Sequence, residues 1–498
     1  MHSEILKTIK TNFIPTLLNA LTTKDRITEN GMATNSTTSN SCVDLFFQIG
    51  AMRGQDKQRL IMSFVKAWGE NPLTAMKLLF WVRDIRGGSG ERQIFRDLVR
   101  YLANTYPDSL AKNLHLFSEY GRWDDLLALI GTKLETKALD VIKTGLEVKN
   151  STLAKWLPRP NVSSLESKRH AKIIAKHLKL DIPSYRKLIV SLSKTVEQLM
   201  CANKWNEIDY SKLPSKAMSD YMKAFNRNDI TRFVAYLESI KKGDSKINAG
   251  ALYPYNIINN LRSGNTDGAD GADVQWKALP NFLLNNEERL LPIVDVSASM
   301  TWTAISGSIY PIDVAISLGL YISERNIGAF KDAFITFSTT PELNVLKGSL
   351  SERFTQMSHS RVGDLTNIQA VFELILSKAK QSKVSASEMP TTVIIFSDME
   401  FNYGVSSGYN TYGNKNQTSQ ELIEDMYKAA DYEVPKVIYW NLQARNDNNP
   451  VKFDKNGVGL VSGFSPALLK NLLGGKDITP EAIMNEVVNS ERYSPVTV

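Results

Sequence analysis

The segment Leu290–Met300, which reads LLPIVDVSASM, decides the fold of the C-terminal part of this chain. An apolar run of strand-forming residues ends here in an Asp-x-Ser-x-Ser pattern formed by Asp295, Ser297 and Ser299. Because alternate side chains of an extended segment share one face, one carboxylate and two hydroxyls can point into one small site. The segment therefore predicts a buried strand that ends in a polar site.

Short apolar runs continue to alternate with helical stretches from Leu290 onward. The strand-like runs are LLPIVDVS, DAFITFS, TTVIIFSD, KVIYWNL and VGLVSGFS, with amphipathic segments such as PIDVAISLGLYISER and NIQAVFELILSKAKQ between them. This alternation predicts a mainly parallel, doubly wound α/β sheet. Ligands of such sheets bind beyond the carboxyl ends of the strands. Two further polar residues fit that position, because Asp398 ends the run TTVIIFSD and Thr366 stands just before a helical stretch.

These residues form a candidate metal site built only from oxygen ligands: Asp295, Ser297, Ser299, Thr366 and Asp398. Oxygen ligands suit a hard cation, and Mg²⁺ keeps several waters while using only one or two carboxylates. We therefore expect Mg²⁺ or another divalent cation, with a coordination position left open for a carboxylate of a partner. A single Asp-x-Ser-x-Ser pattern is often only a turn or a helix cap, so the prediction depends on three pieces in the right order.

The N-terminal half has a helical pattern instead. Segments such as KQRLIMSFVKAW, PLTAMKLLFWVRDI and QIFRDLVRYLANTY repeat apolar residues at helical spacing and are separated by short breaks. Helices in series predict a HEAT-like array of helical repeats, although no strict sequence period is visible. We predict a flexible arm at residues 1–42, the helical array at 43–285 ending in the Gly/Asp-rich linker Arg262–Gln275, and the α/β domain at 286–498.

Basic charge is concentrated in the helical part. Residues 1–285 contain 41 Lys and Arg against 28 Asp and Glu, a net charge of +13, whereas residues 286–498 contain 18 against 24, a net charge of −6. This asymmetry suggests a polyanionic partner such as nucleic acid. A solvated helical surface rich in lysine is the simpler alternative.

Two clusters are candidates for phosphate contact. The first crowds a helix-loop-helix around a Gly-rich loop and comprises Arg83, Arg86, Arg92 and Arg96. Its alternative is internal pairing, since Asp84, Glu91 and Asp97 are close in sequence. The second cluster falls on one predicted helix with few opposing acids, and it is the better candidate. Its members are Lys168, Arg169, His170, Lys172, Lys176 and Lys179.

Several classes of protein are disfavoured. No apolar run reaches the ~20 residues of a membrane helix, and the N-terminal residues carry no apolar signal segment, so we expect no membrane partner. Two distant cysteines, Cys42 and Cys201, make neither a disulfide framework nor a zinc site. A reducing, cytoplasmic location is therefore expected. No Cys/His or Ser/His/Asp arrangement and no nucleotide fingerprint supports an enzyme, and we assign no catalytic residue.

The segments VDVSASM, DLTN and IIFSDME resemble the metal-ion-dependent adhesion site of von Willebrand factor A domains. The resemblance implies a Rossmann-like A domain whose first loop supplies Asp295, Ser297 and Ser299, whose second supplies Thr366 and whose third supplies Asp398. The second loop departs from the family pattern, because Asp364-Leu365 stands where two glycines are usual.

The N-terminal motifs FWVRDIRGGSGER (Phe80–Arg92), EYGRWDDLL (Glu119–Leu127) and KWNEIDYSKLPSKAM (Lys204–Met218) resemble Ro-like, TROVE-type proteins. The likeness is greatest to a branch of unknown function found in plants, bacteria and viruses, and it covers residues ~45–470. It implies a ring of helical repeats closed by the A domain, and binding of structured small RNA on the ring. The expected function is a non-enzymatic ribonucleoprotein scaffold with a Mg²⁺-dependent site for a protein partner. The alternative is a protein-interaction or structural component, for example of a virion, that binds no nucleic acid.

Overall fold

The computed structural model describes residues 24–193, 195–242, 244–245, 252–262, 269–284, 286–305, 309–337, 341–360, 365–402, 417–473 and 478–498. Three parts of the sequence-based predictions lie outside these ranges. They are residues 1–23 of the predicted arm, residues 263–268 of the predicted linker and Asp364 of the predicted second loop.

The C-terminal part contains a mostly parallel sheet, as predicted, and it has six strands, one more than the five strand-like runs of the sequence. Its strands are β3 (Leu290–Val294), β4 (Ala333–Thr336), β5 (Leu343–Val345), β6 (Thr392–Ser397), β7 (Lys436–Asn441) and β8 (Val458–Ser462). Their order in the sheet is β5-β4-β3-β6-β7-β8, and only β5 runs antiparallel to its neighbour. Every residue of β3 and β6 is buried, which explains why these strands read as continuous apolar runs in the sequence.

The chain before the sheet is mainly helical, which confirms the predicted division into a helical part and an α/β part. Its helices are α1 (Ser41–Ile49), α2 (Lys57–Glu70), α3 (Pro72–Arg83), α4 (Arg92–Thr105), α5 (Pro107–Ala111), α6 (Phe117–Tyr120), α7 (Glu135–Glu147), α8 (Ser151–Trp156), α9 (Leu165–His177), α10 (Ile182–Leu192), α11 (Val196–Cys201), α12 (Ser215–Asn228), α13 (Ile230–Lys242), α14 (Pro254–Arg262) and α15 (Ala269–Lys277). The helices that alternate with the sheet strands or follow them are α16 (Pro311–Arg325), α17 (Leu350–His359), α18 (Ile368–Gln381), α19 (Ser419–Ala430), α20 (Leu469–Leu472) and α21 (Pro480–Val488).

Contacts divide the chain into two compact units, neither of which is continuous in sequence. The sheet unit comprises the described residues up to Ala75, Tyr253–Asn259 and the described residues of Asn281–Ser490. The helical unit comprises Met76–Leu252, Asn260–Pro280 and a tail segment, Glu491–Val498. The predicted domains, by contrast, are three consecutive ranges, so the compact units differ from them at both ends of the chain.

The predicted flexible arm needs a correction between residues 24 and 42. A short antiparallel hairpin forms there from β1 (Arg26–Ile27) and β2 (Ala33–Thr34). Met32 is buried in the core of the sheet unit, together with Phe47 of α1 and strand residues such as Ile293. The composition of this range is loop-like, but its Met32 side chain joins the core around the sheet.

The helical unit has a core of its own, rich in aromatic side chains. Phe80, Phe95 and Phe117 pack edge to face, with centroid distances of 5.0 to 6.0 Å. A second cluster gathers around Tyr210 and includes Val274 of α15. The predicted linker Arg262–Gln275 is therefore wrong over its last seven residues, because the helix Ala269–Lys277 packs into this core. Among the described helices, none is both long and apolar enough to cross a membrane.

Candidate metal centre and candidate nucleic-acid surface

The two predicted aspartates meet at the carboxyl edge of the sheet. Asp295 directly follows β3, and Asp398 directly follows β6. The two strands are parallel neighbours, with Val294 paired to Phe396, and the Asp295 N–H donates to the Phe396 carbonyl at 3.0 Å. Parallel strands end at the same edge, so the register itself brings both carboxylates to one place.

The two predicted serines join the same cluster. The Ser297 N–H donates to Asp295 Oδ1 at 3.0 Å, and the Ser297 and Ser299 hydroxyl oxygens lie 3.1 Å apart. Ser299 also hydrogen-bonds the Asp398 carboxylate. Ser397, which sequence reasoning did not select, donates to Asp295 Oδ2 at 2.6 Å. Its only signal in the sequence is its position as the last residue of the run before Asp398.

Thr366 lies in the loop before α18 and is 1% exposed. Its N–H donates to the Asn402 side-chain oxygen at 2.6 Å, and the Asn402 N–H donates back to the Thr366 carbonyl at 3.0 Å. Asn402 stands four residues after Asp398. This pair of bonds ties the loop of Thr366 to the loop that follows β6. All five predicted site residues are buried, four of them in loops of the sheet unit and Ser299 in the short 3-10 helix Ala298–Thr301.

Burial makes the ionised forms of the two carboxyl groups unfavourable when no cation is bound. Burial raises the pKa of Asp295 to about 6, and the nearby charge of Asp398 adds to the increase. Burial also raises the pKa of Asp398, although the guanidinium of Arg445 works in the opposite direction. Two ionised carboxylates in a buried site repel each other and lose hydration, and a bound cation would relieve both costs.

The donor set fits a small, hard divalent cation. Asp295, Ser297, Ser299 and Asp398 offer carboxylate and hydroxyl oxygens that already contact one another, and Mg²⁺ commonly uses one or two carboxylates and completes its shell with water. No group of three or more His, Cys, Asp or Glu side chains with metal-binding geometry occurs among the described residues. Apart from the two carboxylates, the oxygens of the candidate site are hydroxyls.

Arg445 and the N-terminal segment lie beside the candidate site, and the sequence did not predict this. Arg445 follows β7, the strand next to β6, and its Nη2 lies 2.7 Å from Asp398 Oδ2. Its Nη1 lies 3.3 Å from Glu29 Oε2. Two signals were present in the sequence: an arginine shortly after a predicted strand, and an acid in a polar N-terminal stretch.

Residues Thr28–Asn35, hereafter the strap, lie along the loops that follow β6 and β7. The Thr28 hydroxyl donates to the Phe401 carbonyl at 2.7 Å, and the Glu29 N–H donates to Glu400 Oε2 at 2.7 Å. Farther along, the strap pairs through backbone bonds between Asn35 and Asn449. The strap thus contacts the residues directly after Asp398 and the loop that carries Arg445.

The first basic cluster is largely neutralised inside the helical unit. Arg83 is 2% exposed, and its Nε donates to Asp125 at 2.7 Å. Arg96 pairs with both Asp124 and Asp125, at 2.9 and 2.8 Å. The acids that pair with these arginines are those of the GRWDD motif, not the neighbours Asp84, Glu91 and Asp97 named from the sequence.

Arg86 and Arg92 differ from Arg83 and Arg96, because no ion pair involves them among the described residues. Arg86 donates to the Glu119 carbonyl at 3.2 Å. Arg92 is exposed at the surface. Partial desolvation of its guanidinium group, together with the positive charges of Arg122 and Arg96, lowers its pKa. Of the four predicted arginines, Arg92 has the environment most favourable to an anion.

The second basic cluster lies on α9 and at its end. Arg169, Lys172, Lys176 and Lys179 are exposed, Lys168 and His170 are half-buried, and among the described residues the lysines and Arg169 make no ion pair. The pKa of His170 is lowered, because burial disfavours its charged form. The cluster therefore presents lysine and arginine charges to solvent, whereas His170 adds little charge at neutral pH.

Comparisons with known proteins yield two family models and one curated relative. The model of a domain of unknown function (DUF2828) matches residues 28–156 and 151–287, which together make up more than half of the chain. The model of a second domain of unknown function (DUF7788) matches residues 290–496. An uncharacterized protein of Acanthamoeba polyphaga mimivirus is 29% identical over 527 aligned positions, which cover 94% of this chain and 88% of that protein.

Proposed function

Since the chain belongs to the family of the domain of unknown function DUF2828, we propose its function from its own geometry: a non-enzymatic RNA-binding scaffold whose sheet unit binds a partner through a divalent cation. The observation that carries the proposal is the contact network of Asp295, Ser297, Ser299 and Asp398 at the carboxyl edge of β3 and β6. A likeness to von Willebrand factor A domains and to Ro-like helical repeats is part of the same proposal.

Each residue of the candidate site would have its own role in holding the cation. Asp295 and Asp398 supply charge, the hydroxyls of Ser297, Ser299 and Thr366 supply neutral oxygens, and Ser397 orients Asp295 through the 2.6 Å hydrogen bond. Mg²⁺ bound there would act as a Lewis acid with an open coordination position. A carboxylate of a protein partner suits that position, because the ligands of this chain leave it unfilled.

Magnesium-dependent stability tests the metal site. We expect Mg²⁺ to raise the melting temperature of the purified chain, because a ligand that binds only the folded state stabilises it by about 2.7 kcal/mol at a hundredfold excess over Kd. Asp295→Ala should abolish the shift, whereas the exposed control Asp454→Ala should retain it. Equal shifts in Asp295→Ala and the parent chain, measured by scanning calorimetry, would refute the site.

RNA binding is proposed for the exposed lysines of α9 and for Lys179, which lies two residues beyond the end of this helix and not on its face. The support is that Lys172, Lys176 and Lys179 make no ion pair within the described part of the chain, together with the net positive charge of the N-terminal half. Phosphate contacts release counterions, so binding of structured RNA should weaken steeply as salt increases.

A salt-titrated filter-binding assay with the full chain checks this proposal. The triple charge reversal K172E/K176E/K179E should weaken binding at least about tenfold and flatten the salt dependence. The matched control K378E/K380E/K383E reverses three lysines in and beside α18 of the sheet unit and should change binding little. No binding at low salt, or equal losses in the two triple variants, would remove the RNA-binding part of the proposal.

One observation favours the alternative, a protein-interaction or structural module without nucleic acid. Arg83 and Arg96 pair with Asp124 and Asp125 and are not available to phosphates. Under this alternative the metal-dependent stabilisation remains and RNA binding is absent, so the two assays above separate the candidates.

A further inference from the structure

The guanidinium of Arg445 lies between two carboxylates of the sheet unit. One is the inner Asp398, whose side chain is 0% exposed, at 2.7 Å. The other is Glu29 of the strap, whose side chain is 47% exposed, at 3.3 Å. The Arg445 side chain itself is 16% exposed. It therefore contacts a buried carboxylate of the candidate metal centre and a half-exposed carboxylate of the strap at the same time.

Asp398 already pairs with the positively charged guanidinium of Arg445, so a divalent cation on the same carboxylate would be a second positive charge. Its Oδ2 accepts the Arg445 guanidinium, and its Oδ1 accepts the Glu400 N–H at 3.3 Å. A divalent cation on this carboxylate would lie a few ångströms from the guanidinium, where like charges repel strongly because little water separates them. Cation binding at Asp398 and the Arg445–Asp398 pair therefore oppose each other.

Glu29 is held in place independently of Arg445. Its N–H donates to Glu400 Oε2 at 2.7 Å, and its Oε1 accepts the Asn446 side-chain amide at 2.9 Å. These bonds fix the acid beside the guanidinium, and Arg445 Nη1 already lies 3.3 Å from Glu29 Oε2. Glu29 is therefore a carboxylate that Arg445 can keep as a partner when Asp398 is occupied.

We propose that Arg445 is a switch residue of the cation site, which pairs with Asp398 when the site holds no divalent cation and transfers to Glu29 when a cation binds. The inference rests on the proposed metal-binding function and adds two residues that set its affinity. Arg445 pairs with Asp398 in the cation-free state and therefore competes with the cation for this carboxylate. Glu29 favours the cation-bound state, because it offers the displaced guanidinium a carboxylate.

A double-mutant cycle on Mg²⁺ affinity tests the switch, with isothermal titration calorimetry of the full chain as the measurement. Arg445→Met removes the competitor and should tighten Mg²⁺ binding about tenfold. Glu29→Gln removes the alternative partner and should weaken binding about threefold. In the Arg445→Met background, Glu29→Gln should have no further effect, because no guanidinium is left to transfer.

The result for Glu29→Gln in the Arg445→Met background separates the switch from a simple charge effect. If both side chains acted only through their long-range fields, the two changes would combine additively. An additive cycle would therefore overturn the switch, as would weaker binding in Arg445→Met. Arg353→Met is the matched control, because it removes a similarly buried pair with Asp332. Asp332 precedes β4 at the amino edge of the sheet, away from Asp398, and Mg²⁺ affinity should not change.

Two further outcomes have defined meanings. If Arg445→Met does not fold, as judged by circular dichroism, Arg445→Gln fills the same corner of the cycle, since it removes the charge but keeps a hydrogen-bond donor for Asp398. If the parent chain binds no Mg²⁺, both the proposed function and the switch are refuted. If the parent binds Mg²⁺ and the cycle is additive, only the switch is refuted.

Discussion

Asp125 is the residue that decides how basic the helical unit is near the GRWDD motif. It is fully buried and accepts the Nε groups of both Arg83 and Arg96. It also accepts the Arg122 N–H at 2.9 Å. One carboxylate thereby fixes two arginines that looked like phosphate ligands in the sequence, because charges buried in a core are tolerated only when they are paired and hydrogen-bonded.

We expect Asp125→Asn to destabilise the helical unit by about 3 kcal/mol, because the buried Arg83 would lose its charged partner. Urea unfolding followed by circular dichroism measures the change. Asp140→Asn is the control: its side chain is 60% exposed and pairs with His177, and the cost of losing such an exposed pair is at most about 1 kcal/mol. Equal losses in the two variants would contradict this account of Asp125.

The residues of the candidate metal site show which positions can be read from a local pattern at this scale. Asp295 and Asp398 each follow an apolar run, so their place at a strand end is readable from a local pattern. Arg445 could not be selected in the same way, because its role depends on β7 lying beside β6. Ser397 was hidden for a different reason: only the register of β6 against β3 brings its hydroxyl to Asp295.

At the scale of elements, long buried strands were predictable and short or atypical elements were not. The runs of β3, β6 and β7 are apolar on both faces, which is a strong local signal. The two-residue strands of the N-terminal hairpin have no such signal, because their partners are each other and the loops after β6. A polar composition indicated a loop there, and the bonds of Thr28 and Glu29 to residues 400–401 decided otherwise.

The helix Ala269–Lys277 is the clearest case of tertiary packing overriding local preference. Its sequence, ADGADVQWK, includes glycine and two aspartates, residues of low helix propensity. Its apolar residues Val274 and Trp276 are nevertheless buried. Burial of such side chains contributes roughly 2 kcal/mol each, more than a glycine costs in a helix. A composition-based linker prediction has no access to that contribution.

At the scale of the whole molecule, both compact units are assembled from distant parts of the sequence. The tail segment Glu491–Val498 belongs to the helical unit. Arg492 Nη2 donates to Asp84 Oδ1 at 2.7 Å, and the Tyr493 hydroxyl donates to Asp84 Oδ2 at 2.9 Å. Asp84 is fully buried. The tail therefore supplies the positive charge that compensates this buried carboxylate of the FWVRDIRGG motif.

We expect Arg492→Met to destabilise the helical unit by about 2 kcal/mol, because Asp84 would keep hydrogen bonds but lose its guanidinium. Hydrogen exchange should show faster exchange around Phe80–Tyr120 and no change in β3 or β6. Glu491→Gln changes an exposed neighbour and should stay within about 0.5 kcal/mol of the parent. Uniform loss of protection in both units would mean that the tail does not act locally.

The sequence by itself determined the helical and α/β parts and the parallel strands, since these follow from local periodicity, and it placed Asp295 and Asp398 at strand ends. The ligand set Asp295, Ser297, Ser299, Thr366 and Asp398 stays a prediction. Only the tertiary structure decided that the strap and α1 complete the sheet unit, that the tail completes the helical unit, and that Arg445 faces Asp398. The physical reason is that these features depend on pairings across hundreds of residues, in which burial and charge compensation, and not local preference, select the partner.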